Sequence, residues 1–316
     1  MTRPFRFGYL GIQAGMGRRE LLEKARFAEG SGFSAFQQSD HFDRSPLSPM
    51  LALAACATVT STIRLGTLVL GNDFRHPAVL AKEIATLDEL SEGRAEIGLG
   101  AGWMSDDYDV SGIRHDPPGV RVSRLRDAIE VVKAVLGSGP EGASVKNEHY
   151  AVDGLRSVPP PVQRPRPPLM LGGGSPRVLR LAGAEADIVG VNMMLVEGAL
   201  GPEAMRRARA EATHEKLTWV REGAAGREGL PELHLIAFWT TVTDDPLEAA
   251  TRKVAQTGLP VTPEQMLESP HCLMGSREAI VERLHRLREE YGFSYITFYD
   301  ADAAQVAPIV AALAGS

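Results

Sequence analysis

A carboxylate and an imidazole stand side by side in the tetrad SDHF (39–42), at the end of a segment that is predicted to be a strand. An imidazole exchanges a proton near neutral pH or donates a hydrogen bond to a developing anion, and a neighbouring carboxylate can set its tautomer. His41 is therefore the candidate catalytic residue. The alternative is a turn whose polar groups only satisfy one another. Because no HxxxH, HxH or carboxylate triad accompanies His41, the sequence predicts no metal there.

Glycines in the segment GLGAGW (98–103) form a second candidate site, because they lie at and just beyond the end of a predicted strand. Without Cβ atoms, Gly100 and Gly102 allow a flat or bulky group to approach the backbone, and a planar cofactor ring would suit that space. A strand bulge without any ligand is the alternative interpretation.

The segment GGGSPR (172–177) is a candidate phosphate-binding loop between a predicted strand and a helix. Ser175 occupies the N-cap position and Pro176 the first helical position. Amide N–H groups and the positive end of the helix dipole favour an anion there, and Arg177 adds a full positive charge. A tight strand-to-helix turn is the alternative. The residues of the candidate loop are Gly172, Gly173, Gly174 and Ser175.

These three segments can form one site only if the fold places the ends of their strands on the same face. Hydrophobic periodicity alternates between strands and amphipathic helices along the chain. The predicted strands span residues 5–10, 34–39, 63–70, 95–99, 169–171, 188–191, 233–243 and 294–299. Eight strands in alternation with helices favour a (β/α)8 TIM barrel over an open Rossmann sheet, whose GxGxxG fingerprint does not follow the first strand. In a barrel, the working residues lie at the carboxyl ends of the strands.

We expect residues 1–316 to form a single domain of this kind. Three segments break the alternation of strand and helix, and they are predicted to be excursions from the barrel at about 104–120, 137–168 and 257–274. The middle one includes the proline-rich run PPPVQRPRPP.

The composition, with 44% hydrophobic and 23% charged residues, is typical of a folded globular protein. A net charge of −6, from 40 acidic and 34 basic residues, lacks the basic footprint of a nucleic-acid binder. The two cysteines, Cys56 and Cys272, imply neither a disulfide framework nor a zinc site. The longest uncharged apolar run, residues 50–59, is too short for a membrane span, and the amino terminus is typical of a first strand. We therefore expect a cytoplasmic protein without membrane contact.

The order and spacing of four segments resemble the bacterial-luciferase-like family of flavin and deazaflavin oxidoreductases. These segments are SDHF (39–42), IRLGTLVLGNDFRHPAVLAKEIATLDELSEGRAEIGLGAGW (63–103), PPPVQRPRPPLMLGGGSPRVLRLAG (159–183) and LMGSREAIVERL (273–284). The resemblance extends over nearly the whole chain and is closest to the branch that uses coenzyme F420, a deazaflavin. It implies a luciferase-like barrel, a homodimer, and an oxidoreductase that transfers a hydride between F420 and a small organic substrate.

The resemblance also implies roles for individual residues. A non-prolyl cis peptide would lie at Leu68-Val69 and form a bulge against the deazaflavin ring. Asp40 and His41 match the family's cofactor-side pair, with His41 exchanging the accompanying proton, and the loop 172–175 matches its phosphate loop. Trp103 stands where a sugar-phosphate-oxidising branch has a glutamate, which argues against that activity. The other candidate cofactor contacts are Gly100, Gly102 and Asp106.

Two alternatives stay open at this point. An FMN-dependent monooxygenase, which uses reduced flavin and oxygen, shares much of the pattern. A barrel that binds a phosphorylated ligand without redox chemistry is the alternative of another class, although no lysine or paired carboxylates at strand ends support it. In the redox interpretations, the substrate is expected above the cofactor ring, among the loops after strands one, four and seven and the excursions at 104–120 and 257–274.

Overall fold

Eight parallel strands form a closed barrel in the computed structural model, which describes residues 3–11, 17–45, 47–193 and 208–316. The barrel strands are β1 (Arg6–Gly11), β2 (Ala35–Gln38), β3 (Arg64–Thr67), β5 (Ala95–Gly100), β8 (Leu169–Gly173), β9 (Ile188–Val191), β10 (Glu232–Ala237) and β13 (Phe293–Tyr299). Strand β1 pairs with β2 and with β13, and the pairing of β3 with β5 closes the ring. The (β/α)8 barrel predicted from the sequence is confirmed.

Helices alternate with the strands and cover the barrel. They are α1 (Arg18–Gly30), α2 (Pro49–Ala57), α3 (Pro77–Leu90), α4 (Ser105–Ser111), α5 (Pro118–Leu136), α6 (Pro176–Glu185), α7 (Ala210–Gly223), α8 (Pro246–Thr257), α9 (Pro263–Glu268), α10 (Arg277–Tyr291) and α11 (Asp300–Leu313). Proline opens six of them because its fixed φ suits the first turn, where its missing N–H would have no partner within the helix. No helix among these described ranges is long and apolar enough to cross a membrane.

The third barrel strand is interrupted near its carboxyl end. Strand β3 ends at Thr67, the short β4 (Leu70–Gly71) continues its path, and a 3-10 helix (Asn72–Phe74) follows. The peptide bond between Leu68 and Val69 is cis, at the position that the family resemblance implies.

Charged groups inside the barrel are concentrated near the amino ends of the strands. The guanidinium of Arg6 donates to Glu96 and to Glu232, each at 2.6 Å, and the Tyr295 hydroxyl donates to Glu96 at 2.9 Å. Burial raises the pKa of Glu232, and the charge of Arg6 opposes that shift. This layer closes one end of the barrel, so that the opposite rim is left for the site.

The excursions contain regular structure. Segment 104–120 carries α4, and segment 137–168 carries an antiparallel hairpin of β6 (Ala143–Lys146) and β7 (Ala151–Leu155). The seventh predicted strand, 233–243, was wrong as one continuous element. It divides at Phe238 into β10 and β11 (Trp239–Val242), because β11 leaves the barrel to pair with β12 (Cys272–Gly275) from the third excursion.

Candidate active site

His41 lies at the carboxyl end of β2, where a short turn fixes its backbone. Its amide donates to the Ser45 hydroxyl at 3.0 Å, and that hydroxyl lies 2.7 Å from the hydroxyl of Ser39. The imidazole is about one-fifth exposed, at 21%. The imidazole makes a T-shaped contact with the indole of Trp103, with ring centroids 5.7 Å apart at an interplanar angle of 85°.

Asp107 is the closest charged partner of this imidazole. Nδ1 of His41 lies 2.6 Å from Oδ2 of Asp107, and the other carboxylate oxygen accepts from the amide of Phe42 at 3.0 Å. The Asp107 side chain is 5% exposed. Among the described residues, no hydrogen-bond partner lies at Nε2 of His41, so this nitrogen is free to meet a ligand.

Gly102 allows α4 to turn back over the end of β2. Its φ of +74° is a left-handed conformation that other residues rarely adopt, and a Cβ there would collide with the Tyr108 hydroxyl. That hydroxyl donates to Asp73 at 3.0 Å, and Arg121 donates to the carbonyl of Gly102. The conformation of Gly102 thus follows from the placement of α4, while its contact with a cofactor stays a prediction.

Asp40 has its carboxylate engaged within the protein. Arg75 donates to both of its oxygens, at 2.7 and 3.2 Å, and the amide of Gly71 donates to Oδ2 at 3.0 Å. Burial lowers the pKa of Arg75, but its hydrogen bond and charge interaction with Asp40, together with the charge of Glu83, outweigh burial and raise it. Asp40 therefore ties the loop after β4 to the end of β2, and its contact with a cofactor stays a prediction.

The side chain of Val69 fills the space that the strand-end glycines leave open. A Cβ on Gly100 would lie 2.8 Å from Cγ2 of Val69, and one on Gly172 would lie 3.2 Å from Cγ1. The sequence assigned the open side of Gly100 to a planar ring, whereas part of it is occupied by the bulge itself. Val69 also packs against an apolar cluster inside the barrel, as Phe238 and Tyr299 do.

The loop 172–175 leads into α6, as predicted. The Ser175 hydroxyl makes no capping hydrogen bond, so the amides of the first helical turn keep their donors. A Cβ on Gly174 would lie 2.6 Å from the carbonyl of Met193, so that loop and the end of β9 are in close contact. Arg177 points toward α5 and donates to Gly119 at 2.9 Å and to Ser123 at 2.8 Å.

Asn192 is a rim residue that the sequence reasoning missed. It follows β9, and its amide nitrogen would lie 3.6 Å from a Cβ on Gly172. Its Oδ1 is buried without a hydrogen-bond partner. A lone asparagine after a short apolar strand forms no recognisable motif, so the sequence does not single it out. Its position beside Gly172 follows from the register of β9 against β8.

Asp106 and Asp107 are adjacent but occupy different sides of α4. The Asp106 side chain is 67% exposed and lies 3.4 Å from Arg44. The sequence analysis gives Asp106 as one of the cofactor contacts, and that role stays a prediction. The structure brings Asp107, not Asp106, to His41. Of the loop after strand one, residues 12–16 lie outside the described residues.

One cluster within the described chain has ligand atoms at separations that suit a metal ion, namely Asp127, Glu148 and His149. It lies on α5 and the hairpin of β6 and β7, away from the strand ends. Asp127 already accepts from Arg126 at 2.7 Å, and it lies 2.8 Å from Nδ1 of His149. We assign no metal to this cluster.

Comparison with known sequences gives two informative relatives. An uncharacterised protein of Sinorhizobium fredii is 28% identical over 305 residues, which cover 92% of this chain and 87% of that protein. An F420-dependent glucose-6-phosphate dehydrogenase of Microbacterium testaceum is 30% identical over 195 residues, which cover 59% of this chain and 56% of that enzyme.

Solved structures share the fold. An F420-dependent secondary alcohol dehydrogenase, in complex with an F420-acetone adduct, superposes with a TM-score of 0.77 at 19% identity over 98% of both chains. The oxygenating constituent of 3,6-diketocamphane monooxygenase from Pseudomonas putida, in complex with FMN, gives a TM-score of 0.69 at 16% identity over 97% of this chain and 95% of that one. The family model described as luciferase-like monooxygenase matches residues 3–295. The chain therefore belongs to the luciferase-like monooxygenase family.

Proposed function

We propose that this protein is an oxidoreductase that transfers a hydride between coenzyme F420 and a small organic substrate. The observation that carries the proposal is the imidazole of His41, which is held through Nδ1 by a buried carboxylate at the same strand ends as the cis bulge. Such an imidazole can exchange a proton with a substrate whose carbon gains or loses a hydride. The F420-dependent relative supports this cofactor.

The residues at the rim fit a ring that carries a phosphate-bearing tail. Uncapped amides at the start of α6, together with the Ser175 hydroxyl, would hold the phosphate. Leu68 and Val69 would support the ring, and the orphaned Oδ1 of Asn192 offers an acceptor to a ring N–H. When bound, the deazaflavin supplies the centre that accepts or donates the hydride.

The side chains around this space have distinct tasks. With Nδ1 directed to Asp107, Nε2 of His41 takes up or delivers the proton. Trp103 contacts the imidazole, and Phe238 and Tyr299, which contact each other, would limit access of water to the bound ring. Burial raises the pKa of Tyr299 further above its ordinary value, so its hydroxyl is a hydrogen-bond donor and not a general base.

FMN is the second candidate cofactor, because its phosphate would suit the same helix N-terminus and a structural neighbour holds FMN. In that case the protein would be a monooxygenase.

Titration of purified protein with F420 and with FMN, followed by quenching of cofactor fluorescence, tests the choice between the two cofactors. We expect tighter binding of F420 and no oxygen consumption during turnover. Preferential FMN binding with oxygen uptake would favour the monooxygenase. Binding of neither cofactor would favour a non-redox barrel.

We also propose a homodimer. Large apolar side chains are exposed on two adjacent helices, Leu51 of α2 at 74%, and Val79 and Leu90 of α3 at 54% and 57%. Exposed apolar area of this kind is typical of an interface.

The mass in solution tests the dimer: light scattering during size-exclusion chromatography should give twice the chain mass. Leu51→Glu should give monomers, whereas the control Leu247→Glu, at an exposed position on α8, should stay dimeric. A monomeric wild type would contradict the proposal.

A further inference from the structure

We propose that Asp107 is the positioning residue of this site, which fixes the proton of neutral His41 on Nδ1 and thereby makes Nε2 the nitrogen that meets the substrate. The inference rests on the proposed function for its catalytic meaning. The placement of the proton is a property of the protein without any ligand.

The geometry leaves one arrangement of donors and acceptors. An ionised carboxylate only accepts hydrogen bonds, so at 2.6 Å the shared proton must come from Nδ1 of His41. Oδ1 of the same carboxylate accepts from the Phe42 amide at 3.0 Å. Asp107 therefore accepts from two donors on consecutive residues, one at each carboxylate oxygen, and one of these donors is a backbone amide that cannot rotate.

Burial makes this arrangement firm. The Asp107 side chain is 5% exposed, so water does not replace its partners. The indole of Trp103, nearly perpendicular to the imidazole, contacts the ring as well.

An asparagine at position 107 would disturb this arrangement in a defined way. Its side chain has one acceptor oxygen and one NH2 donor, whereas two donors face it. The Phe42 amide keeps its proton, but an imidazole can move its proton to the other nitrogen. We therefore expect the amide oxygen to face Phe42 and the NH2 to donate to Nδ1 of His41, which leaves the proton on Nε2.

The experiment reads the tautomer directly. Histidine labelled with 15N is incorporated into the full chain, and long-range proton–nitrogen spectra are recorded at about pH 8.5, above the ordinary titration range of histidine. The chain has eight histidines, so the signal of His41 is identified by its loss in His41→Asn. We expect wild-type His41 to carry its proton on Nδ1 and Asp107→Asn to shift it to Nε2.

Two further variants complete the test. Asp109→Asn removes the same charge from an exposed position of α4, and it should leave the His41 signal unchanged. Asp107→Glu keeps two acceptor oxygens and should retain the Nδ1 tautomer, even if the longer side chain displaces the ring. A wild-type proton on Nε2, or an unchanged tautomer in a folded Asp107→Asn protein, would overturn the proposal.

Kinetics separates this inference from the proposed function. If F420 binds, Asp107→Asn should lower kcat by about tenfold or more while the Kd for F420 changes by less than about twofold, because proton transfer and not cofactor binding is impaired. Absence of F420 binding to the wild type would refute the proposed function and leave the tautomer result standing. Full kcat in Asp107→Asn with F420 bound would refute the positioning role alone.

Discussion

Val69 and Gly100 form a matched pair, because the valine side chain occupies the volume in which a Cβ of residue 100 would lie, 2.8 Å from Cγ2. Gly100→Ala should therefore displace the bulge. We expect a loss of about 1–3 kcal/mol in the free energy of unfolding, together with weaker cofactor binding, since a β-branched side chain has little freedom to move aside. Urea unfolding and fluorescence titration measure the two effects.

The control for this substitution is Gly30→Ala at the end of α1, where a Cβ would meet nothing within 4 Å. It should change stability by less than about 1 kcal/mol. Equal stability of Gly100→Ala and wild type would mean that Val69 adjusts without strain.

Ser175→Ala should weaken binding of the cofactor without a change in Tm. The hydroxyl makes no capping bond in the structure, so its removal leaves the helix as stable as before. Ser276 provides the matched control, because its side chain does accept from the amide of Ala279 at 3.2 Å. Ser276→Ala should lose about 1 kcal/mol of stability and bind the cofactor normally. The reverse pattern would contradict a phosphate site at α6.

His41→Ala should slow turnover by about 100-fold or more and change the Kd of the cofactor much less, because a positioned proton donor acts mainly in the transition state. The measurement is the split between kcat and cofactor affinity, made with any substrate found by screening alcohols and aldehydes. A variant with the wild-type rate would reduce His41 to a structural contact.

Two buried histidines should make the protein sensitive to acid. Burial lowers the pKa of His234 and of His271 from 6.5 to about 3. Below pH 6.5 the unfolded chain binds protons that the folded protein excludes. The free energy of unfolding therefore decreases as the pH is lowered from 6.5 towards 3, by up to about 1.4 kcal/mol per pH unit for each histidine. Asp302 acts in the opposite sense, since burial raises its pKa to about 6 and its contribution is lost as the pH rises from 3.8 to about 6.

Urea unfolding at about pH 5 and pH 7 measures this balance. The wild type should be less stable at the lower pH. His234→Gln, which keeps a side chain that can hydrogen-bond to Thr297, should reduce the difference between the two values, and Asp302→Asn should increase it. If the free energy of unfolding changes equally between the two pH values in all three proteins, these groups do not control the loss of stability in acid.

Much of the scaffold could be predicted from the sequence, because hydrophobic periodicity records which face of each strand and helix is buried. All eight barrel strands lie where alternation and β-branched residues predict them. The division of the seventh strand at Phe238 was missed, since its second half continues the same apolar pattern and only its pairing with β12 takes it out of the barrel.

The site was less accessible to sequence reasoning. His41 was found from its position at a strand end. The choice between Asp106 and Asp107 depends on how the seven-residue helix α4 is rotated, and a helix of two turns within an excursion has too few apolar positions to reveal that rotation. The open side of Gly100 was assigned to a ligand because the sequence cannot say that Val69 fills part of it.

Helix α4, which brings Asp107 to the imidazole, belongs to the excursion 104–120, the segment expected to differ between relatives with different substrates. Arg124 of α5 joins this excursion to the rest of the rim through Asp116 and Asp73. Exchanging the excursion for that of a relative would therefore alter selectivity and proton chemistry together. Engineered chimeras should retain a carboxylate at position 107, glycine at 102 and the Arg124 linkage, and diversify the exposed positions of α4.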